Sequence, residues 1–195
     1  MSELEKRYLA AKRRLFDRYY EAELNPQQRE AVCTANGPLL ILAGAGSGKT
    51  TVLVRRIVFL IKYGNAYESN AVPTELSEES VADMERAASL SHEEIGYILP
   101  EFISEPCPPW SILAITFTNK AAREIRERLV AAFDDESMAE DIWAGTFHSV
   151  CVRILRRHGS AVGLERNFTI YDTDDAKKMI TQAVKDLNID DKMFP

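Results

Sequence analysis

The stretch "AGAGSGKTT", Ala43 to Thr51, sets three glycines, a lysine and two threonines between an apolar run, "PLLI", and an amphipathic one, "VLVRRIVFLIKYG". The chemistry this set supports is anion binding. A glycine-rich turn that opens a helix aims free backbone N–H groups and the positive end of the helix dipole at one point. Lys49 adds a cation, and the Thr50 hydroxyl is an oxygen ligand of the kind Mg²⁺ takes. The phosphate-loop pattern begins with glycine. Here its first position is Ala43, small enough for the tight turn, and Gly48, Lys49 and Thr50 follow as the pattern requires, with Gly44 and Gly46 inside the loop. The bland alternative is a glycine-rich loop with no ligand. The order of apolar run, loop and amphipathic run favours a nucleoside triphosphate.

Two later segments hold side chains suited to a polyanion. "TFTNKAA" (116–122) and "GTFHS" (145–149) each put Thr and Phe at the end of an apolar run, followed by small polar residues that suit a helix start. Helix-start N–H groups and hydroxyls can hold phosphates, and Phe117 and Phe147 can offer faces to stacked bases. Taken singly, each has a plainer reading: core phenylalanines, Thr118 as an N-cap, His148 as a packing side chain.

The elements that would position these residues follow from spacing. Residues 3–22 form a helix with Leu4, Tyr8, Ala11, Leu15 and Tyr19 on one stripe. A second helix starts at "NPQQ", where Asn25 suits the N-cap, Pro26 the first turn and Gln28 the third position after the cap. Strands are expected over 39–43, 112–117, 142–146 and 168–171. Each is followed by a helix, and the last helix is capped by Asp172 or Thr173. The helix after the glycine-rich loop should bury Val54, Ile57, Val58 and Ile61 and stop at Gly64. Alternating strands and helices imply an α/β fold, a mainly parallel sheet covered on both faces, with ligands beyond the carboxyl ends of the strands.

Charge is unevenly spread. The chain is −6 overall, yet residues 65–109 hold ten acids and one base, Arg86, so the rest is +3. A mildly basic body with an acidic insertion is compatible with a polyanion on one face. The insertion, with a capping box at Ser91 and Glu94, reads as one or two short helices in a solvated, partly mobile excursion whose removal should spare the core. Cys33, Cys107 and Cys151 are widely spaced and lack a CxxC pattern, which points to free thiols in a reducing cytoplasm and away from a metal cluster. No run has the length of a membrane span, and the N-terminus lacks a signal-peptide core.

In this order, "LNPQQREAV", "LAGAGSGKT", "AITFTNKAAREIRERL", "GTFHSVCVRILRRH" and "FTIYDTDD" resemble the UvrD/Rep/PcrA family of superfamily-one DNA helicases, from about residue 24 to 190 apart from the acidic insertion. The resemblance implies a P-loop, RecA-like domain whose cofactors are ATP and Mg²⁺. It implies that Gln28 reads the adenine edge and that Ala45, Gly46, Ser47, Gly48, Lys49, Thr50 and Thr51 surround the phosphates. Lys49 and Thr50 would be the catalytic pair, with Thr50 on the metal. Close members often carry Arg at the position of Thr51. Phe117, Thr118 and Asn119, and then Thr146, Phe147 and His148, match segments that touch single-stranded DNA.

The family also needs an Asp-Glu pair on a later strand and an arginine from a second RecA-like domain. Asp134-Asp135-Glu136 falls in a polar loop and does not match that pair. The expectation is an incomplete RecA-like domain: a leading helix (1–23), the first part of the ATP-binding domain (24–64 and 110–195) and the insertion (65–109). Its partners would be single-stranded DNA, or duplex with a 3′ tail, and a second RecA-like domain, with no membrane. It would serve a 3′→5′ helicase and turn over ATP negligibly alone. The alternatives are a nucleotide-gated DNA-binding module without catalysis, an AddA/RecB-type helicase-nuclease fragment and a small P-loop kinase.

Overall fold

A computed structural model describes residues 1–44, 46–133 and 136–187. They fall into two units, one ending at Phe147 and one starting at His148.

In the first unit, local signals set the helix starts. α1 (Glu3–Tyr20) opens with a capping box between Ser2 and Glu5, and α2 (Pro26–Cys33) with one between Asn25 and Gln28. α3 (Lys49–Lys62) starts at Gly48 and buries Val54, Ile57, Val58 and Ile61, as the spacing predicts. The acidic segment contributes α4 (Glu78–Ala87), α5 (His92–Ile98) and the 3-10 turns Leu99–Phe102 and Pro109–Ser111. β1 (Leu113–Thr116), α6 (Asn119–Ala132), α7 (Glu136–Glu140) and β2 (Trp143–Thr146) follow.

β1 and β2 are parallel and paired from Leu113 with Trp143 to Thr116 with Thr146, with α6 in the crossover. Ala122, Ile125 and Leu129 of α6 are buried. Ile125 and Leu129 share a core with Ala114, Ile142 and the inner face of α3.

The expected many-stranded sheet is smaller here. Residues 39–43 form no strand: Leu40 is 80% and Leu42 86% exposed. Their β propensity finds no ladder partner among the described residues, and an extended run without a neighbour forms no sheet. Residues 168–171 are likewise outside any strand, with Ile170 and Tyr171 exposed.

The acidic segment also differs from a solvated excursion. Ala66, Ala87, Ala88, Ile95 and Leu99 are buried in one cluster with Phe16, Val32 and Phe59, while Val81 packs with Tyr8 and Leu9 of α1. The Phe16 ring meets Phe59, Tyr63, Tyr67 and Phe102 edge-on at centroid distances of 5.5–6.3 Å. Helical spacing of a few apolar side chains outweighed the acidic composition, because the acids of α4 and α5 face outward. Glu78 and Glu85, for instance, flank Arg7 at 2.7 and 3.0 Å.

α8 (Phe147–His158) begins on the last residue of the first unit. The second unit continues with a 3-10 turn (Gly159–Val162) and α9 (Thr173–Asp186), whose N-cap Asp172 accepts from the Asp175 N–H at 2.8 Å. The apolar stripe of α9 is open to solvent, with Met179, Ile180 and Leu187 exposed.

Candidate functional site

The start of α2 and the glycine-rich loop meet across one cavity of about 350 Å³, within the size range of small-ligand pockets. Asn25, Gln28 and Ala31 line one wall, and Ile41 to Gly44, Ser47, Lys49 and Val52 the other. Gln28 joins the two. Its Oε1 accepts from the Asn25 N–H at 3.0 Å, closing the capping box, and its Nε2 donates to the Ser47 carbonyl at 3.0 Å. The acceptor at Asn25 must be the oxygen, since its partner is a donor, so the amide's orientation is set by the helix start. The capping role and a ligand-facing role therefore coexist in one side chain.

Gly46 and Gly48 have φ of +75° and +80°, the left-handed region that favours glycine. A Cβ on Gly48 would also lie 2.9 Å from the Gln28 Nε2. The Ser47 hydroxyl donates to the Gly44 carbonyl at 2.7 Å, and the Lys49 ammonium donates to Ala43 and Gly44 carbonyls at 3.1 and 2.5 Å. The lysine thus lies folded over the loop, with its charge held at the cavity wall. Thr50 is the second residue of α3 and half-buried. Ala45 lies outside the described residues.

Thr51 faces a neighbour that spacing did not reveal. The Arg128 Nη1 donates to its hydroxyl at 3.3 Å, while the Nη2 pairs with Glu124 at 2.7 Å. A guanidinium from α6 thus stands beside the residue that follows Lys49-Thr50. Arg56, also missed, donates through Nη1 to the carbonyls of Ala31, at 2.7 Å, and Thr34. Burial pushes its pKa down and Glu68 pushes it back up.

The second set of residues sits at the carboxyl end of the sheet. Thr116 and Thr146 are register partners, and Phe117 and Phe147 come directly after them. Neither ring is core. Phe117 is 102% exposed and Phe147 59%. Thr118 is the N-cap of α6, accepting from the Ala121 N–H at 3.1 Å, and its own carbonyl accepts from the Thr116 hydroxyl at 3.0 Å. Asn119, the first residue of α6, is exposed. His148, also exposed, opens the second unit. Among the described residues no group of three or more His, Cys, Asp or Glu could hold a metal ion. Nor is any described helix long and apolar enough to cross a membrane.

Comparison with known proteins decides the family. The model of the UvrD/REP helicase N-terminal domain matches residues 24–94 and 95–195. The chain belongs to this family. A UvrD/REP helicase N-terminal domain carrying these loops has named relatives over 171 residues, 88% of the chain. Proteins called ATP-dependent DNA helicase PcrA are 43% identical in Leuconostoc citreum, 44% in Staphylococcus aureus and 43% in Bacillus subtilis. The match covers 17–18% of the length of these relatives. The break in the UvrD/REP match falls at residues 94 and 95, inside the acidic segment.

Proposed function

We propose that the chain is the N-terminal ATP-binding and single-stranded-DNA-contacting part of an ATP-dependent 3′→5′ DNA helicase. One observation carries the reading. A cavity walled by Gln28 and the Lys49 loop lies in the same unit as two exposed phenylalanines at paired strand ends. We assign residues 1–23 to a leading helix, 24–64 and 110–195 to the first part of a RecA-like domain, and 65–109 to an acidic insertion. A reducing cytoplasm suits its three free thiols.

The donors around the cavity fit an anionic nucleotide. Lys49 exchanges its two loop carbonyls for phosphate oxygens, and the N–H groups at the start of α3 turn toward the same charge. The second hydrogen of the Gln28 Nε2 and the second lone pair of its Oε1 remain for a base edge. Ala45, Gly46, Ser47, Gly48 and Thr51 frame the phosphates, and Thr50 offers its hydroxyl to Mg²⁺. Bound MgATP supplies the free energy of phosphoryl transfer to water. Lys49 and Thr50 serve that transfer by neutralising and orienting charge. Phe117 and Phe147 stack bases of a single strand, or of a 3′-tailed duplex, while Thr118, Asn119, Thr146 and His148 meet its backbone. A second RecA-like domain completes the motor.

Titration of a fluorescent oligonucleotide against the chain at several salt concentrations tests the DNA half. Phe117→Ala should weaken binding about ten-fold or more with little change in salt slope, since stacking is worth about 1–3 kcal/mol per base and releases no counterions. Replacing Thr146 and His148 by Ala should weaken binding through lost polar contacts. Wild-type affinity in both variants would overturn the assignment. Robust ATP turnover by residues 1–195, abolished by Lys49→Ala, would overturn the reading of the chain as part of a larger motor.

A further inference from the structure

We propose that Arg56 and Glu68 form a two-sided clamp that positions α2, and with it Gln28, against the phosphate loop. The inference rests on the cavity being a nucleotide site. Neither residue lines that cavity, so both are positioning residues.

α2 has eight residues, a length of ~12 Å. A helix this short has little stability alone and takes its orientation from what grips it. Its N-terminus carries Asn25 and Gln28, which face the cavity. Its C-terminus leads through residues 34–44 directly into the phosphate loop. Whatever holds that C-terminus therefore sets both walls of the cavity.

Two side chains do so, both from later in the sequence. Arg56, from the middle of α3, donates through Nη1 to the carbonyls of Ala31 and Thr34, acceptors that a helix end leaves without partners. Since α3 begins at Lys49, the same rigid helix bears the phosphate loop at its start and the grip on α2 about two turns later. Glu68, from the acidic segment, accepts through one carboxylate oxygen from the N–H groups of Ala35, at 3.0 Å, and Asn36, at 3.3 Å. The connection leaving α2 is thus gripped at its carbonyls by a cation and at its amides by an anion. The two charges also favour each other, as Glu68 raises the pKa of Arg56 against the effect of burial.

The arrangement gives the acidic segment a task at the nucleotide site. It supplies a carboxylate that fixes the lead-in to the phosphate loop. Loosening the clamp should let α2 swing, which costs contacts made by Gln28 more than contacts made by Lys49 and the start of α3.

Two probes separate these contributions: fluorescent mant-ATP, and inorganic tripolyphosphate as its competitor, both with Mg²⁺. Arg56→Lys keeps the charge but is one atom shorter, so its ammonium falls short of the two carbonyls that Nη1 reaches, and Glu68→Ala removes the acceptor. Each variant should bind mant-ATP about ten-fold more weakly, equivalent to about 1.4 kcal/mol, while its affinity for tripolyphosphate changes less than about two-fold. Glu68→Gln retains an oxygen acceptor and should recover most of the loss. A purely structural role would lower both affinities together or neither. Either outcome, in variants with native circular dichroism, overturns the clamp. If Arg56→Lys does not fold, the Glu68 pair decides alone, since that side chain is only half-buried. Wild-type protein that binds neither probe would overturn the nucleotide site itself, and the clamp with it.

Discussion

Gly48 carries two constraints at once, a left-handed backbone and a Gln28 amide nitrogen 2.9 Å from where a Cβ would stand. Gly48→Ala should therefore strain the turn by about 1 kcal/mol or more and push Gln28 off the Ser47 carbonyl. Isothermal titration with MgATP should show at least a ten-fold loss of affinity, with thermal stability changed by only a few degrees. The cysteines differ by burial in a way that a thiol reagent can read. Cys33 is buried, and burial pushes its pKa up to about 12, so its reactive thiolate is scarce near neutral pH. Cys107 and Cys151 are half-buried. Ellman's reagent should titrate two thiols per native chain and a third only in denaturant. Three fast thiols would contradict the packing of α2. Much at this scale is legible in the one-dimensional chain. Asn25, Pro26 and Gln28, Ser91 and Glu94, and Thr118 all act as their spacing implies, because capping is a local interaction over three residues. Arg56, Glu68 and Arg128 are not legible, because their partners are backbone groups or hydroxyls 22 to 77 residues away and leave no periodic trace.

α4 and α5 show why composition misleads where periodicity does not. Their acids announce a solvated stretch, yet Ala87, Ile95 and Leu99 close the face of α1 around Phe16 and Val81 packs on Tyr8 and Leu9. Replacing residues 66–108 by a Gly/Ser linker would uncover that face and should collapse the cooperative thermal transition, the reverse of what the charge pattern implies. A milder test is Ile95→Ala, which should cost about 2–4 kcal/mol and lower Tm by roughly 5–15 °C. Glu75→Gln, on the exposed surface, should change stability by less than about 0.5 kcal/mol. Calorimetry of the two variants suffices, and an unchanged Tm for Ile95→Ala would mean that the insertion packs on nothing essential. The strands tell the opposite lesson. Residues 113–116 and 143–146 pair as their apolar runs suggest, whereas 39–43 and 168–171 have similar runs and no ladder. Strand propensity is a half-statement, completed only by a neighbour that the run itself does not specify.

For the molecule as a whole, the cluster around Phe16 is a store of protons. Burial raises the pKa of Cys33, Tyr63 and Tyr67 to about 12, and raises that of Tyr20 further, from unfolded values near 9 for the thiol and 10 for the phenols. Above pH 9 the unfolded chain therefore binds fewer protons than the folded one, and stability falls as pH rises toward 12. Lys12 works the other way. It is buried with its ammonium on the Ser69 carbonyl, and its pKa is lowered to about 8, by burial and then by Arg13. Between pH 8 and 10.5 the unfolded lysine holds the extra proton, so this group alone adds stability as pH climbs. Urea midpoints should thus decline between pH 9 and 11, and Lys12→Met should make the decline steeper across that window. A flat profile in both proteins would refute the alkaline weakness. The bare run Leu39–Leu42 has a consequence of another kind, in how molecules of the chain behave toward one another. Four successive exposed apolar residues that join no ladder among the described residues are an adhesive edge, capable of zipping onto the same edge of a neighbour. Concentration then becomes a control variable. In dilute buffer the 195-residue chain should scatter light as a monomer, and at high protein load it should cluster. Leu40→Lys should abolish that turbidity at negligible thermodynamic cost, since the side chain it replaces touches little but water.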